Sequence, residues 1–238
     1  MKVAASIAIW VFVAMLTVFV FLATLSVIIL FPFDQKRQIA HAQGYWWADA
    51  LIKFNPFLKL SLRGLENIDP RQTYVIVANH QSMADIALLY KTHRQFKWVA
   101  KDSLFKIPVF GWCMSLMKYI RLSRGKYSSI KDAYQEAGEW LEKGVSVLFF
   151  SEGTRSTSER INPFKSGAFR LAIQGKRSIL PIRIQGARNV ISRGSWIFGV
   201  SKECRLTVLP VIETQGFGPD DFERLRGIVH EKLDSLIS

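Results

Sequence analysis

From Val3 to Phe33 the chain carries no charged residue, and no proline precedes Pro32. Roughly 20 consecutive apolar residues span the hydrocarbon core of a bilayer. The apolar part of a secretory signal is only about 7–15 residues long and ends in a small-residue cleavage site. This run is therefore read as a retained membrane segment. Its interior has no Gly or Pro to mark a hairpin, which predicts one long helix over 3–33, tilted or ending at the interface. A helix buried in a soluble core is the alternative, but uncharged runs of this length are rare there.

Basic residues follow the segment closely (Lys36, Arg37, Lys53, Lys59, Arg63), whereas Lys2 stands nearly alone before it. The positive-inside rule then places the body of the chain in the cytoplasm. Residues 35–60 read as a second, amphipathic helix with Ile39, Trp46, Trp47, Ala50, Leu51 and Phe54 as its apolar stripe. Aromatic rings beside cations suit the headgroup layer, and the same stripe could pack on the protein core. The formal net charge of +13 implies an anionic partner: a membrane surface, a phosphorylated substrate or nucleic acid. The cations are dispersed and the anchor puts the chain at a membrane, so nucleic acid is not expected. Cys113 and Cys204 are far apart and show neither disulfide nor zinc spacing.

Residues 61–238 contain no repeat, linker or low-complexity tract and read as one α/β domain. Short apolar runs at 73–78, 145–150, 179–184 and 204–211 are strand patterns. Helical stretches open near Ser82–Met83 and run over 128–142, with Gly144 as the stop signal, and again from Asp221. This alternation predicts a central, mostly parallel sheet flanked by helices.

The sharpest local feature is the segment Asn79-His80-Gln81-Ser82-Met83-Ala84-Asp85, set where a strand hands over to a helix. Open α/β sheets bind ligands at the carboxyl ends of their strands. Histidine suits the removal of a hydroxyl proton near neutral pH, and a carboxylate on its far ring nitrogen fixes the tautomer and stabilises the imidazolium. Five residues separate His80 from Asp85, about 140° around a regular helix, so His80 must lie in the loop and bend back over the first turn. A plainer account makes Ser82 an N-cap and Asp85 its capping-box partner. That account leaves Asn79 and His80 unexplained, and spacing alone does not choose between the two.

A second segment, Ser151-Glu152-Gly153-Thr154-Arg155, follows a hydrophobic strand and is trailed by Arg160, Lys165 and Arg170. Glycine permits close approach of backbone, and arginine offers a fork to phosphate. A charged β-turn with an internal Glu152–Arg155 pair is the purely structural reading. Lys101, which opens KDSLFKIPVFGW, and Arg124, within LSRGK, are further cations that taken singly suit a solvated surface equally well.

Together these segments resemble the glycerolipid acyltransferase family, particularly the bacterial 1-acylglycerol-3-phosphate acyltransferases, over nearly the whole chain. Asn79-His80 with Asp85 matches the NHxxxxD motif. Lys101, Pro108 and Gly111 match the K-x-x-L-x-x-x-P-x-x-G stretch, Arg124 the arginine closing the second motif, and Glu152-Gly153-Thr154-Arg155 the EGTR of the third. Leu180-Pro181-Ile182 matches the proline-containing strand of the fourth. The chain departs from the family at Ser151, usually proline, and at Ser123, usually acidic. The first change should loosen a turn; the second bears on the acceptor head group.

The resemblance implies an N-terminal two-helix membrane motif over 1–60 ahead of an acyltransferase domain over 61–238. It implies a catalytic dyad of His80 and Asp85, with Asn79, Lys101, Arg124, Glu152, Gly153, Thr154 and Arg155 binding substrate. It further implies acyl transfer from acyl-CoA or acyl carrier protein to 1-acylglycerol-3-phosphate, giving phosphatidic acid, without metal, cofactor or acyl-enzyme. Lysophosphatidylglycerol or a similar lysophospholipid is the alternative acceptor. A hydrolase with Ser82 or Ser151 as nucleophile is a weaker rival, because the chain has no GxSxG elbow.

Overall fold

The computed structural model describes residues 2–199 and 203–236. The apolar run forms one helix, α1 (Lys2–Leu30), long and apolar enough to cross a membrane by length and composition. It marks the chain for association with a membrane. After a turn through Pro32 the chain reverses into α2 (Gln38–Lys53). Asp34 begins this helix, accepting bonds from the amides of Gln38 and Ile39 at 2.7 and 2.9 Å, which satisfies N–H groups left free at a helix start.

The second helix is shorter than 35–60 and buries a different face. The side turned inward carries Ala40, His41, Gly44 and Ala48, small residues about one turn apart. A Cβ at Gly44 would collide with the ring of Tyr90, so the helix approaches its neighbour closely. Of the expected aromatic stripe, Trp47 and Leu51 face the protein, while Trp46 and Phe54 are exposed. His41 sits in an aromatic cage with Tyr45, Tyr90, Phe96 and Tyr119. Its Nδ1 lies 3.2 Å from the Tyr119 hydroxyl, which is itself hydrogen-bonded to that of Tyr90. Burial lowers the His41 pKa to about 3, keeping it neutral.

The remaining elements alternate as the pattern predicts: β1 (Leu60–Arg63), β2 (Val75–Ala78), α3 (Asp85–Tyr90), β3 (Phe96–Lys101), α4 (Asp102–Phe105), α5 (Phe110–Leu116), β4 (Ile120–Leu122), α6 (Tyr127–Glu142), β5 (Ser146–Phe150), α7 (Gly167–Gln174), β6 (Ile179–Gln185), β7 (Cys204–Val208) and α8 (Phe222–Asp234). Seven strands form one sheet in the order β1-β7-β6-β2-β5-β3-β4. All pairings are parallel except β6 with β7.

Successive side chains of a strand point to opposite faces, and β2 shows the result. Ile76 and Ala78 join a core shared with α3, α5 and residues of α1 and α2, while Val75 and Val77 join one shared with α6, α7 and α8. A strand covered on both faces has no polar alternation, which is why VIVA reads as a continuous apolar run. Three strands escape the sequence pattern. β1 is a short edge strand, β4 has three residues, and β3 carries the buried Lys97. The Lys97 ammonium lies over the Trp140 ring at 4.4 Å and donates to the carbonyls of Met117 and Lys36. Burial lowers its pKa to about 7.

Candidate active site

Because β2 lies between β6 and β5, its carboxyl end opens in the middle of the sheet. There the backbone leaves the ladder at Asn79, whose side chain replaces it. Its amide donates to the Ile184 carbonyl at 2.8 Å and accepts from the Ile184 N–H at 2.7 Å. Asn79 is buried and both its polar atoms are engaged. It is therefore a strand terminator that launches the loop, rather than the substrate contact expected from sequence.

The loop turns His80 back over the start of α3, the bend its spacing from Asp85 demanded. His80 Nδ1 lies 2.7 Å from Asp85 Oδ2. The same oxygen accepts the backbone N–H of Gln81 at 2.6 Å and of Ser82 at 2.9 Å. An oxygen already receiving two N–H bonds accepts from the ring as well, so in the neutral ring Nδ1 carries the proton and Nε2 the lone pair. Asp85 reaches back to the Ser82 N–H as a capping-box carboxylate would, but the N-cap of α3 is Ala84 and Ser82 does not cap the helix, so the N-cap reading of Ser82 is corrected. Ser82 points away, donating to the Ile191 carbonyl at 2.9 Å, and does not approach His80 as a nucleophile would. The imidazole stacks on Phe150, with centroids 4.0 Å apart and planes 18° from parallel.

β5 runs parallel to β2 with Phe150 opposite Ala78, so the Glu152-Gly153-Thr154-Arg155 turn lies beside the histidine loop. Glu152 is buried and joins the two. One carboxylate oxygen accepts the His80 N–H at 2.8 Å, and the other accepts the Asn162 N–H and amide at 2.9 and 2.8 Å. Burial raises its pKa, against the lowering effect of these bonds. With both oxygens committed, Glu152 is a brace between loops, not the phosphate ligand expected and not the ion-pair partner of Arg155. Gly153 has φ of +72°, the left-handed conformation that glycine adopts without strain. The turn closes through its N–H to the Phe150 carbonyl at 2.9 Å.

A cavity of about 780 Å³ opens against these loops, within the range of about 300–1,000 Å³ usual for small-ligand sites. His80, Lys101, Arg124, Gly153, Thr154 and Arg155 all line it. Lys165 and Arg193 line it too. Lys165 is held by its N–H to the Ser151 carbonyl at 2.7 Å and packs along Gly153. The sequence offered Lys165 only as a cation trailing the turn and gave no motif for Arg193. Most of the remaining wall is apolar, with Trp10 and Val13 of α1, Trp47 and Leu51 of α2, and Leu104 and Phe110 of the α4–α5 region. A base with a free lone pair, a cluster of cations and an apolar wall reaching the membrane helix can together activate a hydroxyl on an amphiphile with an anionic head.

Residues 59–185 match the family model described as acyltransferase. The chain belongs to the acyltransferase family. It is 39% identical over 165 residues to a chloroplastic 1-acyl-sn-glycerol-3-phosphate acyltransferase of Brassica napus, a match covering 68% of this chain and 47% of that protein. It is 30% identical over 178 residues to 1-acyl-sn-glycerol-3-phosphate acyltransferase alpha of Mus musculus, covering 74% and 62%. The chain thus matches only about half the length of the Brassica relative. The crystal structure of the 1-acyl-sn-glycerophosphate (LPA) acyltransferase from Thermotoga maritima superposes with a TM-score of 0.73 at 27% identity, covering 93% of both chains. In this member of the acyltransferase family the NHxxxxD and EGTR segments lie in the loops that follow the adjacent parallel strands β2 and β5. Among the described residues, no group of three His, Cys, Asp or Glu is arranged to hold a metal ion.

Proposed function

We propose that this acyltransferase is a 1-acylglycerol-3-phosphate O-acyltransferase that makes phosphatidic acid for phospholipid biosynthesis. The observation that carries the reading is the 2.7 Å bond from His80 to Asp85 beside a cavity lined by Lys101, Arg124 and Arg155. His80 Nε2 takes the proton of the acceptor's free hydroxyl, and Asp85 stabilises the imidazolium. The alkoxide attacks the thioester carbonyl of acyl-CoA or acyl carrier protein. The tetrahedral intermediate collapses to the new ester, and the thiolate leaves with the proton held by His80. Lys101, Arg124 and Arg155, with the Gly153–Thr154 turn, hold the acceptor phosphate so that hydroxyl and carbonyl meet.

On this reading α1 and α2 anchor the domain to the cytoplasmic side of a bacterial inner membrane. Confining enzyme and lipids to one surface raises their effective concentration. Lysophosphatidylglycerol or a similar lysophospholipid is the alternative acceptor, since the chain departs from the family at Ser123, where an acid is usual and which bears on the head group. The test is to incubate purified protein with a panel of lysophospholipids and either donor, reading products by mass spectrometry. Phosphatidic acid from lysophosphatidate is expected, with loss of turnover in His80→Ala. Turnover that survived this substitution would sink the mechanism.

A further inference from the structure

The connection from β6 to β7 includes a strap, residues 190–199, that joins the catalytic loop to the membrane helix. At its root Gly199 N–H bonds the Val190 carbonyl at 2.9 Å. Ser82 Oγ, two residues beyond His80, donates to the Ile191 carbonyl at 2.9 Å. At the other end the strap leans on α1. The indole N–H of Trp10 donates to the Trp196 carbonyl at 2.7 Å, Ser6 Oγ accepts the Phe198 N–H at 2.9 Å, and the Trp10 and Phe198 rings meet at 5.5 Å. Ser6 is buried, and its hydroxyl donates to the Lys2 carbonyl at 2.8 Å while accepting from the strap.

Between these fixings the strap carries Arg193, which lines the cavity with His80, Arg155 and Lys165. Its neighbour Arg188 is tied to Glu159 at 2.9 Å. Among the described residues the Arg193 guanidinium instead makes one long contact, 3.5 Å, to the carbonyl of Arg155. Bringing cations together around one cavity costs free energy unless an anion lies between them.

We propose that Arg193 is a binding residue for the acceptor's phosphate, and that Trp10 and Ser6 of α1 are positioning residues that hold it there, making the membrane helix part of the acceptor site. This rests on the acceptor reading above. Arg193 would supply a second guanidinium fork beside Arg155, and the strap would keep it aimed at the head group.

The test is steady-state kinetics of the full-length protein in detergent or vesicles, with lysophosphatidate and an acyl donor varied separately. Removing one charge-assisted contact made equally to ground and transition states raises KM for lysophosphatidate about tenfold in Arg193→Gln, with kcat within about twofold. Arg193→Lys recovers part of the loss. Trp10→Phe keeps the ring against Phe198 and loses only the N–H; it raises the same KM by about threefold, the weight of one neutral hydrogen bond. Combined with Arg193→Gln it adds nothing, because Trp10 acts through Arg193. An unchanged lysophosphatidate KM in Arg193→Gln overturns the proposal, as does a rise in the donor KM instead. Additive effects in the double variant overturn the role of α1. If the wild-type protein does not acylate lysophosphatidate at all, it is the acceptor reading that fails.

Discussion

In this site Asp85→Asn separates charge from geometry. In the wild-type protein His80 Nδ1, the Gln81 N–H and the Ser82 N–H all converge on Asp85 Oδ2, whereas buried Oδ1 has no hydrogen-bond partner among the described residues. An asparagine can place its carbonyl oxygen at the convergent position and keep all three bonds, with its amide nitrogen where Oδ1 was. What disappears is the negative charge. The 2.7 Å bond puts the centres of carboxylate and imidazolium roughly 4 Å apart, where two unit charges at an effective dielectric near 20 attract by about 4 kcal/mol. That attraction exists fully only once His80 has taken the proton, so its loss falls on the barrier. At about 1.36 kcal/mol per decade, kcat drops about a thousandfold. A buried carboxylate oxygen without a partner gives way to an amide nitrogen without one, so stability changes by no more than about 1 kcal/mol, a shift of about 2–4 °C in a chain of this size. Turnover from radiolabelled donor, read beside thermal unfolding, separates the two quantities. If Asp85→Asn kept more than about a tenth of wild-type kcat, the carboxylate would not be stabilising an imidazolium.

Glu152→Gln presents an amide N–H to one of the N–H groups that Glu152 now accepts. Leaving a buried donor unmatched costs about 1–3 kcal/mol, and we expect a lower unfolding temperature together with a fall in kcat as His80 loses its brace. His41 is held neutral, its pKa lowered from 6.5 to about 3. Its contribution is complete above pH 6.5 and is lost as pH falls towards 3, because the unfolded chain takes up the proton first; denaturation midpoints measured from pH 7 to pH 4 decline in the wild type and less steeply in His41→Gln. Lys97 is depressed from 10.5 to about 7, so the wild type loses stability as pH drops from 10.5 towards 7. Lys97→Met removes the titrating group, and its melting temperature relative to wild type rises across that window; no change in the difference would refute the assignment.

Elements that obey a single physical demand were readable in the sequence. α1 is one uninterrupted apolar run, β2 and β5 are covered on both faces, and the His80–Asp85 spacing calls for a loop bent over a helix start. What stayed hidden depends on partners distant in sequence. Glu152 looks like a ligand until Asn162 and the His80 N–H are found on its oxygens. Asn79 looks like a contact until Ile184 meets it across the sheet. The inward face of α2 was misjudged because close approach to Tyr90 selects Gly44 and Ala48, whereas periodicity singles out the bulkier Trp46 and Phe54. β3 was missed because its buried lysine is accommodated over Trp140 and on the carbonyls of Met117 and Lys36, circumstances no apolar run announces.

The register of β2 against β5 sets a scale for chemistry. Ala78 faces Phe150, neighbouring strands lie about 4.8 Å apart, and the loops carrying the base and Arg155 leave those strands abreast, linked at His80 and Glu152. The gap between proton acceptor and anion cradle is therefore graduated by the hydrogen-bond lattice of the sheet and not by the reach of flexible side chains. Retuning such a site to an acceptor with a longer spacer between hydroxyl and phosphate calls for inserting backbone into one of the two loops, since no exchange of side chains moves a strand.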